Sequence, residues 1–206
     1  MQVCGVDDAG RGSLVGPLVI AGVSLSKTKI RKLSTMGIKD SKKLSPLQRE
    51  KLYKKIIKFA DAYCIAKINP STIDKSVSKH ELNNLEAKYM ARVISKLNPN
   101  VSYVDSCDVN PSRFGKVISK LSKKNKIKSY HHADSRFVIV SAASIIAKVS
   151  RDKAIKKIQK IHDVGSGYPS DAKTIVFVKK YVSTGNKIPN FIRCSWKPVQ
   201  TMLNEV

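Results

Sequence analysis

The chain has 206 residues, of which 42% are hydrophobic, and this length and composition predict one domain over residues 1–206. A formal net charge of +24 indicates a polyanionic partner, with nucleic acid ahead of an anionic membrane surface, and no apolar run is long enough to span a membrane. The four cysteines form no CxxC pair and no zinc-type spacing, so we expect reduced thiols and a cytoplasmic location.

The predicted elements begin with strands and then alternate between strands and helices. In chain order, we expect strands at 3–6 and 14–25, a helix at 46–59, a strand at 62–68, a helix at 78–97, a strand at 101–105, a helix at 111–121, a strand at 127–130, and helices at 137–161, 171–182 and 195–204. This order predicts an α/β fold with a mixed sheet.

Acidic residues are scarce in this basic chain, yet several follow predicted strands. Asp7 and Asp8 end the first strand, Asp105 ends a later one, and Asp134 precedes the long helix. Converging carboxylates repel one another unless a cation lies between them. Magnesium and manganese prefer such oxygen ligands, and two such ions can promote phosphodiester hydrolysis. The pattern is therefore consistent with a metal site.

A structural explanation of these acids stays open at this point. Asp134 could be a helix N-cap. Adjacent strand residues point to opposite faces, so Asp7 and Asp8 share a site only if the chain bends there. Gly10 and Gly12 would allow a bend.

Gly10-Arg11-Gly12 has a second interpretation, because successive backbone amides next to glycines can cradle a phosphate or a sugar. The glycine spacing does not fit the dinucleotide fingerprint. Further along, Lys153, Lys156, Lys157 and Lys160 share one helix face, which predicts either a row of phosphate contacts or a solvated surface.

Taken together, the ordered motifs resemble the ribonuclease H type 2 family (ribonuclease HII) in its archaeal, single-chain form. The motifs that carry the resemblance are Gly5-Val6-Asp7-Asp8-Ala9-Gly10-Arg11-Gly12, Asp40-Ser41-Lys42-Lys43-Leu44, Tyr103-Val104-Asp105, His132-Ala133-Asp134, Ser141-Ala142-Ala143-Ser144-Ile145-Ile146-Ala147-Lys148-Val149, Arg151-Asp152 and Gly165-Ser166-Gly167-Tyr168-Pro169-Ser170-Asp171. Each motif alone is weak, but their order and spacing along nearly the whole chain are specific.

The resemblance implies a ribonuclease H-like fold, with a mixed central sheet flanked by helices and a helical substrate-binding extension over about residues 165–206. It implies an endoribonuclease that cuts the RNA strand of RNA–DNA hybrids and cuts at ribonucleotides embedded in duplex DNA. Hydrolysis would use two divalent metal ions, Mg²⁺ or Mn²⁺, and leave 5′-phosphate and 3′-hydroxyl ends. The catalytic and metal-binding residues that it implies are Asp7, Asp8, Asp105 and Asp134.

The resemblance also implies a set of substrate contacts. The Gly10-Arg11-Gly12 backbone would contact the 2′-hydroxyl, the group that separates RNA from DNA. Tyr168 would stack on the sugar next to the ribonucleotide, although an ordinary loop aromatic is the alternative. Contacts near the cleaved phosphate or the substrate backbone would come from Ser41, Lys42 and Lys148, of which Lys148 could equally be structural.

One departure from the family concerns Asp8, because the family usually has Asp-Glu where this chain has Asp7-Asp8. The shorter side chain predicts retained but altered activity that favours manganese. Two other functions stay open, namely a non-catalytic nucleic-acid-binding protein and a two-metal nuclease with another substrate.

The sequence also bears on partners. A monomer is expected because no extended apolar stripe is left unassigned. Gln200-Thr201-Met202-Leu203 is similar to the start of a sliding-clamp-binding peptide, but it lacks the aromatic pair, so clamp binding is not expected.

Overall fold

The computed structural model describes residues 1–38, 44–124, 126–184 and 187–204. The chain divides into two compact units. The first unit comprises Met1–Ala9, Val19–Ala66 and Asn83–Val149, and the second comprises Gly10–Leu18, Lys67–Leu82 and Ser150–Val206. The second unit thus contains the predicted extension together with earlier segments, and a single domain over 1–206 stays a prediction.

A five-stranded mixed sheet, as predicted, has the order β3-β2-β1-β4-β5. Its strands are β1 Gln2–Ala9, β2 Leu18–Ser26, β3 Ala62–Ile68, β4 Val101–Asp105 and β5 Ile127–Tyr130. Strand β1 is antiparallel to β2 and parallel to β4, which is parallel to β5. The carboxyl ends of β1, β4 and β5 therefore meet at one edge of the sheet.

Helices account for most of the remaining described chain. They are α1 Lys27–Ser34, α2 Pro46–Phe59, α3 Pro70–Val77, α4 Leu82–Leu97, α5 Pro111–Ser122, α6 Ala133–Arg136, α7 Val138–Gln159, α8 Ala172–Ser183 and α9 Lys197–Asn204. The predicted start of α2 is confirmed by a capping box in which the Ser45 side chain accepts from the Gln48 amide. Among the described residues, no helix is both long and apolar enough to cross a membrane.

Several predicted bounds were wrong, and the helices α1, α3 and α6 were not predicted. Strand β2 begins at Leu18 and not at residue 14, because the chain turns at Gly16, whose φ is +85°. Helix α4 begins at Leu82 and not at residue 78, because the chain reverses at His80, whose φ is 57°. Helix α3, with Asn69 as N-cap and Pro70 in its first turn, was missed before it.

Each unit has its own hydrophobic core. In the first unit, buried residues of β2, such as Val19 and Ala21, pack with the small and aliphatic residues of α7, such as Ala142 and Ile146. In the second unit, Leu14 and Val15 pack with Phe177 and Val178 of α8. Trp196 lies against this second core.

Candidate active site

The predicted acidic residues of the first unit lie at or just beyond the carboxyl ends of the three parallel strands. Val6 of β1 is aligned with Val104 of β4, so the next residues along the two strands are Asp7 and Asp105. Because side chains alternate along a strand, these two carboxylates start from the same face of the sheet. Asp134 follows β5 by four residues and lies in the first turn of α6.

Asp7 is buried, with 4% of its surface exposed. Some neighbouring groups raise the pKa of its carboxyl and others lower it. Burial, followed by the negative charges of Asp8 and Asp105, raises the pKa of Asp7 well above the usual range of an aspartate. Two hydrogen bonds oppose this rise, one from the Ser144 side chain and one from the Asp8 amide to Oδ1 at 2.7 Å. The fold thus holds a carboxylate where neighbouring charges disfavour its ionised form.

Asp105 and Asp134 are linked through the backbone around α6. The Ala133 amide donates to Asp105 Oδ1 at 2.6 Å, which ties the end of β4 to the start of α6. Asp134 is buried, and its carbonyl accepts a hydrogen bond from Ser141 Oγ on α7. His132, with a φ of 53°, is the N-cap of α6, so the alternative that Asp134 is an N-cap is wrong.

Asp8 lies within a regular strand, because the ladder with β2 continues through Asp8 and Ala9. The bend considered from the sequence comes later, at Gly10, whose φ is +89°. Asp8 therefore starts from the opposite side of β1 to Asp7. Its charge nevertheless contributes to the raised pKa of Asp7, so the two carboxylates interact.

Helix α7 approaches β1 closely at Gly5. A Cβ atom added at Gly5 would lie 2.3 Å from the carbonyl oxygen of Ile139, which shows that only glycine fits. This contact lies near the start of the helix that carries Ser141 and Ser144. The hydrogen-bonding roles of the two serines were not predicted from the sequence. The available signal was two serines that flank two alanines in a predicted helix, because a hydroxyl in such a segment needs a hydrogen-bond partner.

The carboxylates suit a hard divalent cation in their chemistry. Oxygen ligands are those that Mg²⁺ and Mn²⁺ prefer, and a cation would relieve the repulsion among Asp7, Asp8 and Asp105. Within the described part of the chain, no three His, Cys, Asp or Glu side chains form a ready-made metal cluster. The donor set therefore fits such an ion, and binding requires the carboxylate oxygens to converge.

The glycine loop and Tyr168 both belong to the second unit. The amides of Leu14 and Val15 donate to the Gly167 carbonyl at 2.8 and 3.2 Å, which fixes the end of the loop next to Tyr168. The buried Arg193 donates from Nη1 to the carbonyl of Arg11 at 2.8 Å. This loop is thus held rigidly from two sides, and a Cβ added at Gly12 would meet no atom within 4 Å.

For the other predicted substrate contacts, the structure gives the burial or exposure of those that lie within the described residues. Lys148 is half-buried on α7 in the first unit. The four lysines at 153, 156, 157 and 160 are exposed, as both interpretations of that helix face require. Ser41 and Lys42 lie outside the described residues.

Comparisons with known proteins agree with the fold. A family model described as Ribonuclease HII matches residues 4–199. A protein named Ribonuclease HII from Cenarchaeum symbiosum is 56% identical over 200 residues, covering 97% of each chain. One of the same name from Thermococcus sibiricus is 46% identical over 204 residues, covering 97% of this chain and 90% of its own.

Solved structures give the same result. The ribonuclease H2 from Pyrococcus horikoshii OT3 superimposes with a TM-score of 0.91 and 40% identity, covering 100% of this chain and 98% of that one. RNase HII from Archaeoglobus fulgidus, solved in a complex with PCNA, gives a TM-score of 0.88 and 37% identity, covering 96% of each chain. The mixed sheet and these matches define a ribonuclease H-type hydrolase that acts on phosphodiester bonds. The chain belongs to the ribonuclease HII family.

Proposed function

We propose that this enzyme hydrolyses the RNA strand of RNA–DNA hybrids and cuts at ribonucleotides embedded in duplex DNA, with two divalent metal ions. The observation that carries the proposal is the alignment of Asp7 with Asp105 at the carboxyl edge of the sheet, with Asp134 tied to Asp105 through Ala133. A protein that only bound nucleic acid would gain nothing from negative charges that face phosphates.

The proposed roles of the acids follow from their positions. Asp7, Asp8, Asp105 and Asp134 hold the ions through carboxylate oxygens, with Ser144 and the Asp8 amide orienting Asp7. When bound, Mg²⁺ or Mn²⁺ supplies an activated water and stabilises the leaving oxygen, which is the chemistry that leaves 5′-phosphate and 3′-hydroxyl ends. The chain's own contribution is to hold the Asp7 and Asp105 carboxylates on one face of the sheet and to orient Asp7 through Ser144 and the Asp8 amide.

Recognition of the substrate is assigned to the glycine loop, to Tyr168 and to three polar residues. In the proposed complex, the Gly10-Arg11-Gly12 backbone contacts the ribonucleotide 2′-hydroxyl and Tyr168 stacks on the adjoining sugar. The rigidity of the loop, which Arg193 and the Gly167 carbonyl hold, supports this role because a fixed backbone discriminates a single hydroxyl best. Lys148, with Ser41 and Lys42, contacts the phosphates, and the net charge of +24 strengthens binding.

We further propose a monomeric, cytoplasmic enzyme. Four cysteines with free thiols fit a reducing compartment. The segment Gln200-Thr201-Met202-Leu203 lies in α9, and Met202 is buried in the core of the second unit. Because its two apolar residues, Met202 and Leu203, already pack in this core, we propose that this segment does not bind a sliding clamp.

A panel of substrates tests the proposed activity. The enzyme is incubated with Mg²⁺ or Mn²⁺ on a duplex that carries one ribonucleotide, on an RNA–DNA hybrid and on plain DNA. Cleavage of the first two alone is expected, with Asp134→Asn inactive but still binding. The exposed Asp163 provides a matched control, since Asp163→Asn removes the same charge far from the sheet edge in sequence and should cut normally.

Each other outcome points to a different function. Equal cutting of plain DNA would indicate a two-metal nuclease with another substrate. Binding without cleavage of any substrate, unchanged in Asp134→Asn, would indicate a non-catalytic nucleic-acid-binding protein.

A further inference from the structure

Arg151 of α7 is a buried cation that lacks the usual partners. It is 1% exposed, and its Nε and Nη2 atoms have no hydrogen-bond acceptor among the residues that the structure describes. Its Nη1 atom lies 3.4 Å from Asp152 Oδ1, a long contact. Burying a guanidinium without acceptors opposes folding, so stability alone does not account for this residue.

The Arg151 side chain packs between two segments of the second unit, at Gly10 and at Gly167-Tyr168. Its central carbon lies 4.1 Å from the centroid of the Tyr168 ring, which is a close stacking distance. A Cβ added at Gly10 would lie 3.2 Å from Arg151 Cγ, and one added at Gly167 would lie 2.8 Å from Nη2. Two glycines thus make room for Arg151 directly beside the loop and the ring that the proposed function uses.

Arg193 provides a contrast within the same unit. It is equally buried and stacks 5.0 Å from the Trp196 ring centroid, but its nitrogens donate to the carbonyls of Gly16 and Arg11. Arg193 therefore has the bonding expected of a structural arginine. Arg151 has instead a close contact with the Tyr168 ring, and its side chain fills the space that Gly10 and Gly167 leave open.

We propose that Arg151 is a positioning residue that sets the distance between the Tyr168 ring and the Gly10-Arg11-Gly12 backbone, and thereby sets the preference for RNA–DNA junctions. The inference rests on the proposed function, in which the backbone reads the 2′-hydroxyl and the ring reads the next sugar. A planar guanidinium is suited to this because it stacks flat, whereas a lysine ammonium is a mobile point charge.

The test measures junction preference, defined as kcat/KM on a single-ribonucleotide duplex divided by kcat/KM on a continuous RNA–DNA hybrid. We expect Arg151→Lys to lower this ratio about ten-fold, because small displacements of a reading group are costly. Tyr168→Ala should lower it similarly, and Arg151→Lys should have no further effect in the Tyr168→Ala background. Tyr168→Phe, which keeps the ring, should retain the ratio.

Two controls separate positioning from loss of stability. Val178→Ala removes core volume from the same unit and should lower the melting temperature without changing the ratio. If Arg151→Lys does not fold, Arg151→Gln is measured in its place. The inference is overturned if a folded Arg151 variant keeps the parent ratio, if its effect multiplies with that of Tyr168→Ala, or if Val178→Ala shifts the ratio equally.

The cleavage rates of the parent and of the variants show separately whether the proposed function or the role of Arg151 is wrong. A parent enzyme that cuts neither ribonucleotide substrate contradicts the proposed function. A parent that cuts both, with variants of unchanged ratio, contradicts only the role of Arg151.

Discussion

Asp7 shows how a single residue can be placed for function at a cost in stability. It is buried beside Asp8 and Asp105, and their charges add to the effect of burial in disfavouring its ionised form. Hydrogen bonds from Ser144 and from the Asp8 amide offset part of this effect. A buried charge in this position is expected to stabilise the protein only when a cation is bound.

Replacing Asp7 by Asn should therefore stabilise the metal-free protein while abolishing cleavage. The amide keeps an acceptor for Ser144 and the Asp8 amide but removes the charge. We expect a gain of roughly 1–2 kcal/mol in the free energy of unfolding, or about 2–8 °C in melting temperature, measured in EDTA. A lower melting temperature than that of the parent would show that the charge of Asp7 is already compensated.

Asp8 is the residue at which the sequence resemblance implies a departure from the family pattern. We expect Asp8→Glu, which restores the longer side chain, to change the ratio of cleavage rates in Mg²⁺ and Mn²⁺ in favour of Mg²⁺. The physical reason is reach, since Asp8 starts from the opposite side of β1 to Asp7. Rates measured with each metal decide the matter, and a variant indistinguishable from the parent in both would refute the idea.

At the scale of single residues, the sequence predicted which side chains carry the acidic site but not which residues they contact. The carboxylates could be predicted because acids are rare in a chain of charge +24 and follow apolar strands. Ser144 and Arg151 could not be assigned roles, because their roles depend on contacts between segments distant in sequence. Asp7 lies 137 positions before Ser144, the difference between their residue numbers, and no local pattern encodes that contact.

Among the elements, α7 determines the geometry of the first unit's acidic site. It contacts β1 at Gly5 and supplies Ser141 to the Asp134 carbonyl and Ser144 to Asp7. The small residues at 141–144 are all buried. The same helix later carries Arg151, in the second unit.

Gly5→Ala tests this packing. The added Cβ would lie 2.3 Å from the Ile139 carbonyl oxygen, so the helix must shift. We expect a loss of about 1–3 kcal/mol in the free energy of unfolding and at least about a ten-fold loss of activity, because Ser144 moves with the helix. Gly12→Ala is the control for stability alone, since its Cβ meets nothing within 4 Å. Equal melting temperatures for the two variants would contradict the packing argument.

The hydrogen bonds of Asp108, in the loop that follows β4, predict how the free energy of unfolding depends on pH. The Asn110 amide at 2.8 Å, with Arg113 and Asn83, holds the pKa of the buried Asp108 below its usual range. A lowered pKa contributes stability that is present above the unfolded-state pKa of about 3.9 and is lost as pH falls through the folded-state value. Asp108→Asn should thus lose about 2 kcal/mol at pH 7 and progressively less below pH of about 4.

Urea unfolding from pH 7 to pH 3 measures this difference, with Asp163→Asn as a surface control. A deficit for Asp108→Asn that does not shrink with falling pH would contradict the assigned cause.

The elements themselves were largely predictable from local pattern. The helix predicted from residue 46 begins where α2 begins, and the strands predicted at 62–68 and 101–105 have the observed bounds of β3 and β4. The errors arose where a turn interrupts an apolar or periodic run, as at Gly16 and His80. Such turns depend on backbone conformation, which hydrophobic periodicity does not report.

For the whole molecule, fold class was predictable and division into units was not. The order of strands and helices gave a mixed sheet, and the resemblance gave the ribonuclease H-like fold, which the solved structures confirm. The second unit gathers segments from residues 10–18, 67–82 and 150 onward, and no composition change marks these junctions. Only packing between distant segments reveals them.

The central claim is that Asp7, Asp105 and Asp134 act together in metal-dependent cleavage at a ribonucleotide. The most direct measurement is cleavage of an end-labelled duplex with one ribonucleotide, by the parent and by Asn variants of each acid, in Mg²⁺, Mn²⁺ or EDTA. We predict one cut, with 5′-phosphate and 3′-hydroxyl products, in the parent with metal, and none in EDTA or in any variant. Cleavage in EDTA, or undiminished cleavage by a folded variant, would contradict the account.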